Sequence, residues 1–155
     1  MQYWLVKSEP DCFSIQDLKR EKVSSWSGVR NYAARNNLRA MKKGDLLLFH
    51  HSSCAVPAIV GVAVVVKEAY VDPTQFVVSD DHFDAKSTKE NPRWSTVDVS
   101  LVEIFELPLT LSEIKQDKRF AGMELVKQGS RLSVQPVAKT EFTLVMQLRS
   151  AQGLS

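Results

Sequence analysis

Two cysteines in 155 residues, Cys12 and Cys54, are too few for a disulfide framework, so the chain has to hold itself together by packing. Long apolar runs are also missing. The longest, Ala55 to Val66, is twelve residues and is interrupted by Pro57 and Gly61, whereas a bilayer-spanning helix needs about 20. Glycine is sparse, at six residues. None falls in a Gly-x-Gly-x-x-Gly, a phosphate-loop Gly-Lys-Ser/Thr or a Gly-x-Ser-x-Gly pattern. Dinucleotide redox chemistry, nucleoside-triphosphate hydrolysis and serine esterase chemistry thereby lose their usual signatures. The first eight residues, Met-Gln-Tyr-Trp-Leu-Val-Lys-Ser, carry Lys7 and no apolar stretch of signal-peptide length. With so few cysteines, this predicts a protein of a reducing, cytoplasmic compartment with no membrane association.

Apolar residues make up 44% and charged residues 25% of the chain, as in an ordinary folded protein. No repeat, linker or low-complexity tract divides it, so residues 1–155 are read as one domain, large enough to bury roughly 70% of its extended surface. The net charge of +2 hides an uneven distribution: +5 over residues 1–44, −7 over 45–117 and +4 over 118–155. If the two ends meet in space they form a basic face suited to polyanions such as nucleic acid. Otherwise both patches are solvated surface.

Patterning predicts an α+β chain. Tyr3 to Lys7 reads as a strand, and Ser14 with Asp17 forms a capping-box pattern before a helix from Ile15 to about Lys22. Ala34, Leu38 and Met41 share a helical face within Asn31 to Lys43, closed by Gly44. Leu46–His51 and Ala58–Val66 are the clearest strands, the second apolar enough to be buried on both faces. Val71–Arg93 is a polar excursion holding at most one short strand, at Phe76–Val78. Thr96–Glu106 reads as a strand, Leu111–Lys115 and Met123–Val126 as short helices, and Leu132–Val137 as a strand interrupted by Pro136. A closing helix carries Phe142, Val145, Met146 and Leu148 on one face.

Candidate metal ligands are weak. His50 and His51 occupy adjacent strand positions and point to opposite faces, which separates them as ligands with Cys54. Asp80, Asp81 and Asp84 around His82 lack a calcium-loop pattern and read as a solvated loop. No metal and no cofactor is expected.

Five motifs carry the functional reading. They are Tyr3-Trp4-Leu5-Val6-Lys7-Ser8-Glu9-Pro10; Trp26-Ser27-Gly28-Val29-Arg30-Asn31-Tyr32 with Ala34-Arg35-Asn36; Lys43-Gly44-Asp45 before a strand ending Phe49-His50-His51-Ser52; Pro92-Arg93-Trp94 before Val97-Asp98-Val99; and Gly129-Ser130-Arg131-Leu132-Ser133-Val134-Gln135-Pro136. In this order, over roughly residues 2–148, they resemble the EVE domain. Two positions depart from the family pattern: Ala33 stands where Gln is common, and His50 where Tyr is common. The resemblance implies a PUA-like fold, a β-barrel-like mixed sheet surrounded by short helices, related to the YTH readers of methylated adenine and the SRA readers of methylated cytosine. It also implies a modified-base reader that inserts an extruded base into an aromatic pocket, on DNA or RNA.

The physics of the residues agrees with that implication. Aromatic walls hold a base by stacking worth about 1–3 kcal/mol, and a buried methyl group adds about 0.8 kcal/mol. Trp26 and Trp94 lie in loop motifs and are expected as stacking walls, or else as core tryptophans, which is the reading for Trp4. Asn31, His51 and Ser52 can donate and accept, as edge reading requires, although Asn31 also fits a helix N-cap. Gly28 would admit a base close to the backbone, or is a turn glycine. Val29, Ser8, Leu132 and Ser133 belong to the pocket on the motifs alone. Lys7, Arg30, Arg35 and Arg131 suit phosphate contact or the fixing of loops, with internal ion pairs as the other reading for Arg30 and Arg131. The expected function is non-enzymatic, monomeric binding of nucleic acid bearing a modified base. The alternatives are a small hydrolase of modified nucleosides, using Lys7, Glu9 or His51 for acid–base chemistry, and an interaction module in RNA processing.

Overall fold

The structure is a computed structural model, described here for residues 1–151. Six strands form one mixed sheet: β1 (Tyr3–Ser8), β2 (Val23–Ser25), β3 (Leu46–His51), β4 (Ala58–Val71), β5 (Ser95–Thr110) and β6 (Val134–Val137). Their spatial order is β2-β5-β4-β3-β1-β6. β1 runs parallel to β3, and every other neighbouring pair is antiparallel.

This order corrects the barrel-like expectation. The two ends of the sheet, β2 and β6, are not paired with each other among the described residues, so the sheet is open. A barrel needs a closing ladder. Here the edge strands are three and four residues long, too short to wrap around and meet. The β4–β5 register shifts at four places and the β3–β4 register at one, each shift bending the strands locally as bulges do.

Side-chain alternation gives each face its own core. Trp4, Val6, Leu47 and Phe49 point to one face, where α1 (Ile15–Glu21) and α2 (Tyr32–Ala40) contribute Ile15, Leu18, Ala34 and Leu38. Leu5, Leu48, Ile59 and Val62 point to the other, against Ile114 of α3 (Leu111–Gln116) and Phe142, Val145 and Met146 of α4 (Lys139–Arg149). α1 begins with the expected capping box, Ser14 accepting from the Asp17 amide and Asp17 from the Ser14 amide. Gly61 on β4 is what lets α1 dock so closely. A Cβ there would stand 2.2 Å from the Glu103 carbonyl oxygen and 2.4 Å from Ile15 Cδ1.

Other expectations shift locally. Phe76–Val78 is not a strand; Pro73–Phe76 forms a 3-10 turn capped by the Asp72 carboxylate. Glu124–Val126 is likewise a 3-10 turn, not an α-helix. α2 stops at Ala40, earlier than expected, and Gly44, at φ +95°, belongs to the turn into β3. β2 was not anticipated, because Val23-Ser24-Ser25 is too short and polar to read as a strand. β4 and β5 run past their expected ends because each protects the other's backbone. No helix among the described residues is long and apolar enough to cross a membrane.

Candidate functional site

The C-terminal end of β1 and the segment following β2 face each other across a cavity of about 670 Å³, within the roughly 300–1,000 Å³ range of small-molecule sites. Lys7, Ser8, Glu9, Cys12 and Phe13 supply one side; Ser24 through Arg30 supply another. Glu21, Ser133 and His82 complete the lining. Its chemistry is a buried indole and a half-buried phenyl ring amid serine hydroxyls, carboxylates and the Arg30 guanidinium.

Trp26 is only 8% exposed, and its backbone N–H donates to the Val97 carbonyl at 2.7 Å, which ties the start of the loop to β5. Phe49 and Phe13 hold the indole perpendicular to themselves, at 5.4 Å and 89° and at 6.1 Å and 86° between centroids. Ser8 fixes Phe13 by donating its hydroxyl to the Phe13 carbonyl. The ring thus has a rigid mount.

Two residues on, Gly28 takes φ +85°, a left-handed conformation that glycine adopts freely. Its N–H donates to Asp72 Oδ2 at 2.8 Å. Asp72, fully buried, also accepts from Arg30 Nη1 at 3.1 Å and from the Thr74 amide and hydroxyl at 2.8 and 2.6 Å. Burial pushes this carboxyl up, but the bonds from Thr74, Gly28 and Arg30 outweigh it and hold it below the usual range. Arg30 spends its remaining donors on the Val29 carbonyl (2.8 Å), Thr74 Oγ1 (2.9 Å) and the His82 carbonyl (2.9 Å). Arg30 therefore fastens the loops around the cavity through a buried ion pair.

Of the residues singled out from the sequence, Lys7, Ser8, Trp26, Gly28, Val29, Arg30 and Ser133 meet at this cavity. The others do different work. Asn31 caps α2, its Oδ1 accepting from the Ala34 amide at 2.9 Å. His51 Nε2 accepts from the Ile15 amide at 3.1 Å, satisfying the first donor of α1. Burial lowers the His51 pKa, which keeps the ring in the neutral form this acceptor role requires. Ser52 donates its amide to the Ser8 carbonyl, and Leu132 packs against the core beneath the cavity. Trp94 lies outside the lining: Tyr32 stacks on it at 4.8 Å and 23°, the Arg30 guanidinium lies 5.4 Å from its centroid, and its indole N–H donates to Asp84 at 2.7 Å. Arg35 donates to the Arg93 carbonyl at 3.0 Å and lies over Tyr32. Arg131 is exposed.

Sequence reasoning passed over Cys12, Phe13, Glu21, Ser24, Ser25, Ser27 and His82 as lining. Phe13 stands just past the first motif, and Ser27 lies inside the second. His82 had no local signal beyond its acidic neighbours.

His50 lies on the far face of β3, beside Lys7 in register. Both of its ring nitrogens are buried without a protein partner. Burial first, then the Lys7 charge and His51, push its pKa down to about 4, so it is neutral at physiological pH. Burial also pushes the Lys7 ammonium down, partly offset by Glu124. No group of three or more His, Cys, Asp or Glu side chains is placed to hold a metal among the described residues.

The EVE domain model matches residues 2–148. The chain belongs to the EVE-domain family. Chicken thymocyte nuclear protein 1 is 46% identical to this EVE domain over 164 residues, covering 94% of the chain and 68% of the relative. A protein of Pseudomonas syringae has the same fold at a TM-score of 0.92 and 47% identity, covering 94% of this chain and 98% of that one. The human thymocyte nuclear protein in complex with 5-methylcytosine-containing DNA superposes at a TM-score of 0.87 and 42% identity, covering 96% and 97%. These relatives correct the cytoplasmic expectation, since the vertebrate proteins are designated nuclear. Composition and cysteine count do not separate one compartment from another.

Proposed function

We propose that this EVE domain binds DNA carrying a modified base and performs no catalysis: an extruded 5-methylcytosine, or a base of that class, enters the cavity beside Trp26. One observation carries the reading. A chain that superposes along nearly its whole length on a human relative solved with 5-methylcytosine-containing DNA has a mounted indole lining a cavity of suitable size. The indole stacks on the flat base, worth about 1–3 kcal/mol. Phe13 and Val29 offer apolar surface to a methyl group, while the serine hydroxyls adapt to the base edge, where an unmatched polar atom would be penalised. Phosphate attraction adds affinity without sequence information.

The test is a pair of duplexes differing in one 5-methylcytosine, titrated at fixed salt against the native protein and Trp26→Leu. The native protein binds the methylated duplex more tightly, and the variant loses affinity for it. Equal binding of both duplexes by the native protein would falsify the reading.

A further inference from the structure

His82 reaches the cavity from the long polar excursion between β4 and β5, and nothing in the motifs marks it. Its position is nevertheless defined at three points. The imidazole Nδ1 lies 3.1 Å from Asp80 Oδ1, the His82 backbone N–H donates to the same oxygen at 2.8 Å, and the His82 carbonyl accepts from Arg30 Nε at 2.9 Å. The ring is pressed against Gly28: a Cβ on that residue would stand 2.9 Å from His82 Nε2 and 3.0 Å from its two carbon neighbours. The glycine thus makes room for the imidazole as well as supplying a left-handed backbone.

The tautomer follows from the partner. An ionised carboxylate only accepts, so the neutral ring must place its hydrogen on Nδ1 to bond Asp80. Nε2 is then an acceptor, held at the cavity wall next to Gly28 with about half of the side chain exposed. An acceptor in that place suits a base that presents an N–H. We propose that His82 is a base-contacting residue that sets specificity: its Nε2 accepts from the exocyclic amino group of the extruded base, so the cavity takes an amino-bearing pyrimidine over its keto counterpart. This rests on the modified-base reading above. Glu9 and Glu21 also line the cavity, can accept and are as exposed as His82, but His82 is held through both its ring and its backbone by Asp80. Glu9 has only a 3.7 Å contact from the Cys12 thiol to steady it.

5-Methylcytosine and thymine share the 5-methyl group and differ at the 4-amino or 4-oxo edge, which makes them the discriminating pair. Each is placed in the same duplex opposite an abasic site, so that neither has a pairing partner to give up, and unmodified cytosine is the third ligand. The native protein should favour 5-methylcytosine over thymine by about tenfold, the scale of one hydrogen bond made or left unmatched. His82→Phe keeps a ring and removes the acceptor; it should bring that ratio close to one while leaving the 5-methylcytosine to cytosine ratio intact. Asp80→Asn lets the ring adopt either tautomer, since an amide both donates and accepts, and should give an intermediate ratio. It carries the test alone if His82→Phe does not fold. Three results overturn the proposal: no discrimination between 5-methylcytosine and thymine by the native protein, an unchanged ratio in the folded variants, or a ratio that collapses only in Glu9→Gln or Glu21→Gln. Failure of the modified-base reading looks different, as equal affinity of the native protein for 5-methylcytosine and cytosine.

Discussion

Trp26 and Trp94 each sit in a loop beside a turn residue, Gly28 or Pro92, and are 8% and 6% exposed, yet only Trp26 borders the cavity. The surroundings of Trp94 are saturated. Gln75, fully buried, donates to the Asp72 and Trp94 carbonyls at 2.6 and 2.9 Å, and accepts from the Arg93 and Trp94 amides at 3.1 Å each and from the Ser87 hydroxyl. With Tyr32 and Arg30 against the ring and Asp84 on its N–H, Trp94 organises the loop that carries His82. Trp26 is held by packing from Phe13 and Phe49 and by a single backbone bond. Burial alone therefore does not separate a tryptophan that braces a loop from one that lines a cavity. The distinction lies in whether polar partners surround the ring or a cavity adjoins it.

The sharpest way to break this comparison is Trp94→Ala. Loss of a buried tryptophan costs about 3–5 kcal/mol, and denaturant unfolding should record a stability loss on that scale. Under conditions where the variant still folds, it should retain a preference for methylated over unmethylated DNA. A variant of native stability that no longer prefers methylated DNA would reverse the roles of the two tryptophans.

Next in size is a pH effect centred on the far face of the sheet, away from Trp26. His50 has a folded pKa of about 4 against an ordinary value of 6.5, so the unfolded chain binds the proton more readily. The stability linked to this ring is fully present above pH 6.5 and is lost as pH falls towards 4, by about 3 kcal/mol in all. His51 is lowered in the same direction and adds to the slope. His50→Tyr should flatten the dependence of unfolding free energy on pH by about one proton over that interval; a slope identical to the native one would refute the assignment.

Trp26→Leu sharpens the other side of the comparison. It keeps apolar contact with Phe13 and Phe49 but removes the stacking surface, and should weaken binding to methylated DNA by about 1–3 kcal/mol, read by titration. Smallest is Asn31→Ala. The lost cap costs about 1 kcal/mol of stability, and the methylated-to-unmethylated affinity ratio should not move. A changed ratio would return Asn31 to the base edge, where its donor–acceptor chemistry first suggested placing it.

Elements with a repeating pattern were legible in the sequence. A short run rich in β-formers located β1, the apolar run at Leu46 located β3, the Ser14–Asp17 box located α1, and the run Ala58–Val66 announced a strand buried on both faces. The openness of the sheet was not legible, because closure depends on whether the edge strands are long enough to meet. Within the site, Trp26, Gly28 and Arg30 could be found because they sit together in one motif. His82 could not, since it lies 54 positions after Gly28 and only the folded chain brings its ring against that glycine. His51 and Asn31 lie apart from the cavity for a common reason: side chains able to read a base edge are equally able to satisfy the first amides of a helix, as the N-cap reading of Asn31 allowed.

An open sheet leaves two rims that a neighbouring molecule's strand could extend. On one side β2 covers only Asp98–Ser100 of the sixteen-residue β5, so the rim there is a step formed by both strands. The other rim is β6, where exposed Pro136 removes one of the few donors available. At the β6 rim an incoming strand therefore meets a short edge broken by a proline. A sheet that never closes has to blunt its edges one by one, and β6 does so by its length and its proline.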